Sequence, residues 1–334
     1  AGERSGRVGV QPIVGWLERR QVALYLAGLV VGAAVGLLVP AVARPAELAI
    51  QPVLALLLSA PSLCLPFSRI GRAVRDGRFL ATVLVLNFAV VPVVVWVLSR
   101  IVAHDQVLLV GVLFVLLTPC IDYVLAFAGI AGGDAERLLA ATPLLMLAQM
   151  VLLPLYLWLF VGPGFVEAVE FAPFVEAFLL IIALPLAAAA LTQTLAVRSR
   201  AVNTLRVGAM GAMVPLMIAT LALVVASQIS EVSGQLGALW QVVPVYIAFA
   251  AVMVPVGMAA GRVAGLEVSG RRAVVFSGVT RNSLVVLPLV LALPVSFGLA
   301  PLVVVTQPLI ELIAMVVLIR LIPRLIPSPA LAPA

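Results

Sequence analysis

The sequence predicts an all-α, multi-pass membrane protein with ten transmembrane helices, and three observations carry that prediction. Of 334 residues, 64% are hydrophobic and only 10% are charged, against roughly 25% charged in a soluble domain. Ten apolar runs of membrane-spanning length follow one another along the chain. The basic residues fall almost entirely into alternate loops, as the positive-inside rule requires of a multi-spanning chain.

The apolar runs lie at about 21–43, 48–66, 79–99, 107–131, 138–161, 174–197, 205–229, 241–260, 273–298 and 300–322. Each is close to the roughly 20 residues needed to cross the hydrocarbon core. The first follows an Arg-rich segment, and its length favours a retained span over a cleaved leader. The connector SRIGRAVRDGR at 68–78 is basic and is expected to lie along the membrane surface.

Loop charges set the orientation. All 20 basic residues are Arg. Seventeen lie on the side that holds the N-terminus, 67–78, 132–137, 198–206, 261–272 and the C-terminus. Only Arg44 and Arg100 lie on the other side, and Arg281 lies within a span. Both termini are therefore expected in the cytoplasm, in a bacterial plasma (inner) membrane. Ten spans with both ends on one side permit two halves of five. Because five is odd, a repeated half must be inverted, which is a common transporter plan. The expected organisation is a cytoplasmic segment 1–20, a first repeat 21–161, an external linker 162–173, a second repeat 174–322 and a cytoplasmic tail 323–334.

Several classes are excluded by composition. The Arg residues form no single face, so the net charge of +6 does not indicate nucleic acid. Two cysteines, Cys64 and Cys120, both in apolar runs, make neither a disulfide framework nor a zinc site. His104 is the sole histidine, and neither a Ser/His constellation nor a metal motif suggests an enzyme. No cofactor is expected. Gly132, Gly133 and Asp134 end the fourth span as a turn and do not read as a phosphate loop.

The fourth and ninth spans read as interrupted. The fourth carries LLTPCIDYV, with Thr118, Pro119, Cys120 and Asp122, and the ninth carries SGVTRNSLV, with Thr280, Arg281, Asn282 and Ser283. Proline removes a backbone donor and clashes with the preceding turn. Broken backbone at membrane depth is tolerated only around protein or a polar cavity, and half-helix ends there offer partial charges to a ligand. Asp122, Arg281 and Glu311 lie deep in spans, where a charge costs about 2.5–3.5 kcal/mol on insertion scales. Arg281 is expected to pair with Asp122. That leaves one carboxylate, Glu311, which burial drives toward its neutral form and which is suited to carry a proton. Thr306 and Gln307 lie about one turn before Glu311 and are expected to hydrogen-bond it. Cys120 is a soft sulfur beside a helix break, suited to trivalent arsenic or antimony, although a buried cysteine is more often a small core residue. Cys64, without polar neighbours, reads as packing.

These segments resemble the bile acid/arsenite/riboflavin transporter superfamily and, within it, the bacterial arsenic resistance permeases. The resemblance is carried by TPCIDYVLAFAGIAGGDAERLLAATPLLMLAQMVLLPLYLWLF at 118–160, RRAVVFSGVTRNSLVVLPLVLALP at 271–294 and VVVTQPLIELIAMVV at 303–317. It implies ten helices in two inverted five-helix repeats, with helices 4 and 9 unwound where they cross. It also implies that Cys120 and Glu311 occupy the positions of the permeases' functional Cys and Glu. Asn282 and Ser283 look like the Asn-Ser pair of the sodium-coupled branch. Arg281 places a fixed cation where that branch would bind sodium, which favours a proton as the coupling ion. The function expected is proton-coupled efflux of arsenite or antimonite. The alternative is symport of an organic anion, with Arg281 binding a carboxylate. Among those residues, the expected substrate-binding set is Thr118, Pro119, Cys120, Asn282 and Ser283. The partners expected are the small-molecule or metalloid substrate and the lipid bilayer.

Overall fold

The computed structural model describes residues 20–64, 76–121, 124–162, 179 and 200–328, and these are helical with no strand beyond one isolated bridge. They divide into two compact units, each drawn from both halves of the sequence. Most of the predicted sixth span (174–197), residues 163–173 of the linker and residues 68–75 of the connector lie outside the described residues.

The described part of the first unit contains α1 (Gln21–Leu38), α2 (Ala43–Cys64) and α7 (Arg200–Val232), with α7 packed against both of the others. The packing is close because α1 presents Gly28, Gly32 and Gly36 on one face. A Cβ on Gly32 would stand 2.4 Å from the Ala222 carbonyl oxygen. Small residues at four-residue spacing are how membrane helices bring their backbones together, since lipid supplies no hydrophobic drive between them. The sequence placed the turn between the first two spans near 44–47. The structure turns earlier, through a 3-10 segment at Pro40–Val42, with an angle of 113° between the flanking helices. Arg44 therefore sits in the first turn of α2, where it pairs with Glu47.

The second unit holds α3 (Gly77–Val102), α4 (Gln106–Leu116), α5 (Val124–Ile130), α6 (Ala135–Val161), α8 (Val242–Val263), α9 (Val268–Val279), α10 (Ser283–Leu291) and α11 (Ala300–Leu325). Among the described residues, four helices are individually long and apolar enough to cross a membrane: Gly77–Val102, Ala135–Val161, Gly237–Val263 and Val295–Leu325. The predicted fourth and ninth spans are each divided in two, as α4/α5 and α9/α10. The ninth also ends earlier than predicted, in a 3-10 turn at Val295–Phe297.

Helix starts are set by aspartates. Asp76, Asp105 and Asp134 cap α3, α4 and α6 by accepting from the main-chain N–H groups of Phe79, Val107 and Arg137 respectively. An Asp N-cap satisfies amides that have no partner within the helix. Gly132, at φ +70°, supplies the left-handed turn after α5 that a residue with a Cβ would resist. Two of the caps do double duty. Arg137 Nε lies 3.1 Å from Asp76 Oδ2 and 3.2 Å from Asp134 Oδ2, and its Nη1 reaches Glu267, the residue that precedes α9. These half-exposed pairs are individually weak, but together they tie the starts of α3, α6 and α9.

Arg272 departs from expectation. The loop count placed it in a connector, yet it lies in α9 and is buried. Its guanidinium donates to the carbonyls of Ile326 (2.8 and 3.1 Å) and Ala131 (3.0 Å). It thereby caps the C-terminal ends of α11 and α5, where a cation meets the negative end of each helix dipole.

Candidate functional site

The two breaks meet. α4 ends at Leu116 and α9 at Val279, and each is closed by a threonine four residues after a phenylalanine. Thr118 Oγ1 donates to Phe114 O and Thr280 Oγ1 to Phe276 O, both at 2.8 Å. Beyond these turns the chains run extended and pair as an antiparallel bridge between Pro119 and Arg281. Cys120 N donates to Thr280 O at 3.3 Å, and Asn282 N donates to Thr118 O at 2.8 Å. Pro119 and Arg281 form the non-hydrogen-bonded pair of this bridge, so the N–H that Pro119 lacks is not one the bridge uses. The F-x-x-x-T repeat, with its second copy 162 residues after the first, is a residue-level correspondence that the sequence reading missed.

Arg281 is fully buried and points its two functional groups in different directions. Its backbone N–H donates to Glu311 Oε2 at 2.8 Å. Its guanidinium Nη2 donates to Asn87 Oδ1 (2.8 Å), Ser277 O (2.8 Å) and Gly278 O (2.7 Å), and Nη1 reaches Leu116 O at 3.4 Å. The Phe249 ring lies beneath, with its centroid 5.3 Å away. Leu116, Ser277 and Gly278 stand in the last turns of α4 and α9. The cation thus sits on two negative helix ends and over a ring face.

Asn87 is the residue that makes this nest possible. It lies in a π-helical turn, Leu86–Val90, inside α3. One extra residue in a helix turn rotates the following side chains, and such π-bulges recur at functional sites. Its Nδ2 donates to Val83 O (2.9 Å) and to Ser277 Oγ (3.0 Å), which fixes Oδ1 toward Arg281. Pro92 follows the turn and leaves the Phe88 carbonyl without its usual helical donor. Tyr156 of α6 supplies one through its hydroxyl.

Glu311 and Gln307 lie four apart on α11, and both are buried. Gln307 Nε2 donates to Glu311 Oε2, and Ser283 Oγ donates to Gln307 Oε1 at 3.3 Å. A polar chain therefore runs Ser283–Gln307–Glu311–Arg281 along the ninth-span break. Thr306 does not join it, contrary to expectation: its hydroxyl donates to Leu302 O at 2.7 Å, within its own helix. Asn282 caps α10 by accepting from Val285 N at 3.2 Å.

The structure brings Thr118, Pro119, Cys120, Arg281, Asn282, Ser283 and Glu311 to one crossing, all of them buried. Asp122 lies outside the described residues, and with it the expected Asp122–Arg281 pair. The side chain of Cys64 is likewise outside them. Sequence reasoning missed Asn87, Ser277 and Phe249. Asn87 had a signal, a lone polar side chain inside an apolar run, because such a group in lipid needs a protein partner or a ligand. Arranged in this way, the crossing gathers a buried carboxylate, a buried guanidinium and a buried thiol around two paired helix breaks.

The sequence model of the sodium bile acid symporter family matches residues 51–232. The match includes the break at Thr118–Cys120. No curated protein matches the chain.

Proposed function

Because the chain belongs to the sodium bile acid symporter family and is thus a multi-pass membrane transporter, we propose that it exports arsenite or antimonite from the bacterial cytoplasm across the inner membrane, in exchange for protons. The observation that carries this reading is the placement of Cys120: a buried thiol on the helix break, one residue after Pro119, whose partner across the bridge, Arg281, is bound to Glu311 through its backbone N–H. Sulfur is a good ligand for a soft trivalent metalloid. A single sulfur gives a bond that reverses readily, which transport requires.

The coupling follows from the same residues. Arg281 is a permanent cation seated among oxygen acceptors at two helix ends, so no sodium ion is needed there. Glu311 loads a proton from one side and releases it to the other as its surroundings alternate between dry and wet. Thr118, Pro119, Asn282 and Ser283 shape and line the crossing. In this reading Asp122 pairs with Arg281 across the crossing and neutralises it. Ten spans in two inverted five-helix repeats, 21–161 and 174–322, provide the frame. The F-x-x-x-T correspondence and the reciprocal Cys120–Thr280 and Asn282–Thr118 hydrogen bonds support this, since a two-fold relation between repeats produces that reciprocity.

A second reading, symport of an organic anion, is favoured by the family itself. Against a carboxylate-binding role for Arg281 stands the engagement of its guanidinium with Asn87, Ser277, Gly278 and Leu116. The separating experiment expresses the protein in an arsenite-sensitive bacterial strain lacking its own exporter. Resistance that is lost in Cys120→Ser supports the metalloid reading. Unchanged sensitivity, with uptake of a bile acid or another carboxylate, supports the second.

A further inference from the structure

Gln307 joins the buried carboxyl of α11 to the first residue of α10. Its Nε2 donates to Glu311 Oε2, and its Oε1 accepts from Ser283 Oγ at 3.3 Å. All three side chains are buried. The sense of both bonds is dictated from the Glu311 end. An ionised carboxylate only accepts, so it takes the NH2 side of the amide. The carbonyl side is left to Ser283, whose hydroxyl must then supply the hydrogen.

A protonated carboxyl reverses these demands, because its O–H needs an acceptor. A glutamine amide can answer by turning over about its last torsion, which is broad and roughly two-fold. Oxygen and nitrogen then exchange places. Oε1 accepts from Glu311, Nε2 donates to Ser283 Oγ, and the Ser283 hydrogen is released. Each state keeps both hydrogen bonds, so neither leaves a buried amide atom unpaired at about 1–3 kcal/mol. The surroundings make Glu311 the group that takes the proton. The helices packed against α11 are α4, α5, α8 and α10, and their ionisable side chains are Tyr246 and Arg262 of α8. Tyr246 donates to the Val303 carbonyl at 3.0 Å, and Arg262 stands in the exposed last turn of α8. α11 itself adds Arg320 and Arg324 toward its end. At the break stand the Arg281 guanidinium, held on Asn87 and main-chain carbonyls, and the buried Cys120 thiol.

We propose that Gln307 is a positioning residue that relays the protonation state of Glu311 to Ser283, so that proton and solute bind in alternation. This deepens the exchange reading and rests on it for Glu311 as proton carrier and Ser283 as a solute contact. With Glu311 ionised, the Ser283 oxygen offers its acceptor sites to the hydroxyl protons of a solute. With Glu311 protonated, the Gln307 amide occupies one of those sites and Ser283 presents a hydrogen instead. A hydroxyl-bearing solute such as arsenous acid, As(OH)3, is then held less well. By linkage, solute binding disfavours the proton to the same extent, which is the relation that exchange requires.

The test has two arms, both on the purified, detergent-solubilised full chain. The first needs no solute and records infrared difference spectra between alkaline and acid pH. A carboxyl band that is absent in Glu311→Gln should appear on acidification. It should come with a change in a glutamine side-chain band that is absent in Gln307→Met, altered in Ser283→Ala and restored in Ser283→Thr. The second arm measures arsenite affinity over the same range. Wild-type affinity should fall on acidification, by at most about tenfold per pH unit for one proton. Gln307→Met and Ser283→Ala should each flatten that fall, Ser283→Thr should restore it, and the double variant should be no flatter than either single one. A carboxyl band without the glutamine change overturns the relay. So does a Gln307→Met profile that is displaced along the pH axis with its full amplitude, since Gln307 is then only a donor to Glu311. Should Gln307→Met not fold, Ser283→Ala decides, and a full pH dependence there overturns the relay. Absence of the Glu311 band at every pH removes the proton carrier and the relay with it. The paired infrared changes without arsenite binding at any pH would uphold the relay and remove the metalloid.

Discussion

Arg281 and Glu311 are joined through the backbone: the N–H of Arg281 donates to Glu311 Oε2 at 2.8 Å, while the guanidinium is held on Asn87 and the carbonyls of α4 and α9. The carboxylate therefore reads the position of the unwound strand directly, and any shift of the break changes how Glu311 is solvated. Glu311→Gln keeps an acceptor oxygen and should fold. It should still bind arsenite yet fail to concentrate it against a pH gradient. Glu311→Asp should keep partial activity. Glu311→Ala leaves the Arg281 N–H and the Gln307 amide unpaired, at about 1–3 kcal/mol each, and should lower the unfolding temperature in detergent.

Asn87 should matter for stability as much as for transport. Asn87→Leu removes an acceptor from a buried guanidinium and a donor from Ser277 Oγ and Val83 O. Hydrogen bonds to charged groups contribute about 1.5–3 kcal/mol, so a clear drop in thermal stability is expected. Asn87→Asp offers Arg281 a carboxylate in the same place and should fold better than Asn87→Leu. Equal stability of Asn87→Leu and the wild type in a thermal-unfolding assay would show that the nest does not depend on α3.

The broken spans and the meeting of their polar residues, with Cys120, Arg281 and Glu311 buried among them, were legible in the sequence because prolines and charges are conspicuous in apolar runs. The nest around Arg281 was not. Two of its Nη2 acceptors are the main-chain carbonyls of Ser277 and Gly278 and a third comes from Asn87, nearly 200 residues away. Backbone oxygens leave no trace in a sequence, and a π-turn has no composition of its own. The turn at Pro40–Val42 was displaced for a related reason: apolar residues continue unbroken through it, so hydropathy could not mark it. Arg272 was misplaced because loop counting treats every terminal Arg as solvated, whereas this one is buried on two helix ends.

Asp122 and Arg281 should behave as a coupled pair. Removing one partner of a buried pair leaves a lone charge, at about 3–5 kcal/mol. Asp122→Ala and Arg281→Ala should each express poorly, and the double mutant should be more stable than the sum of the single losses allows. Strictly additive losses in folded yield would argue that the helix ends and Asn87 alone neutralise Arg281.

The close packing of the first unit gives a prediction independent of transport chemistry. A side chain at Gly32 meets the Ala222 carbonyl oxygen at 2.4 Å from its first carbon. Gly32→Val should separate α1 from α7 and destabilise the unit by about 1–3 kcal/mol, the usual cost of overpacking. The unfolding temperature of Gly32→Val in detergent should fall below that of the wild type; an unchanged value would show that the close approach of α1 to α7 is not required.

The most direct test of the central claim is arsenite accumulation by everted membrane vesicles containing the protein, with an imposed pH gradient and no sodium. The account predicts uptake that rises with the gradient, is unaffected by added sodium, is abolished in Cys120→Ser, and runs only downhill in Glu311→Gln. Accumulation that requires sodium, or that proceeds at the wild-type rate against the gradient in Glu311→Gln, would contradict it.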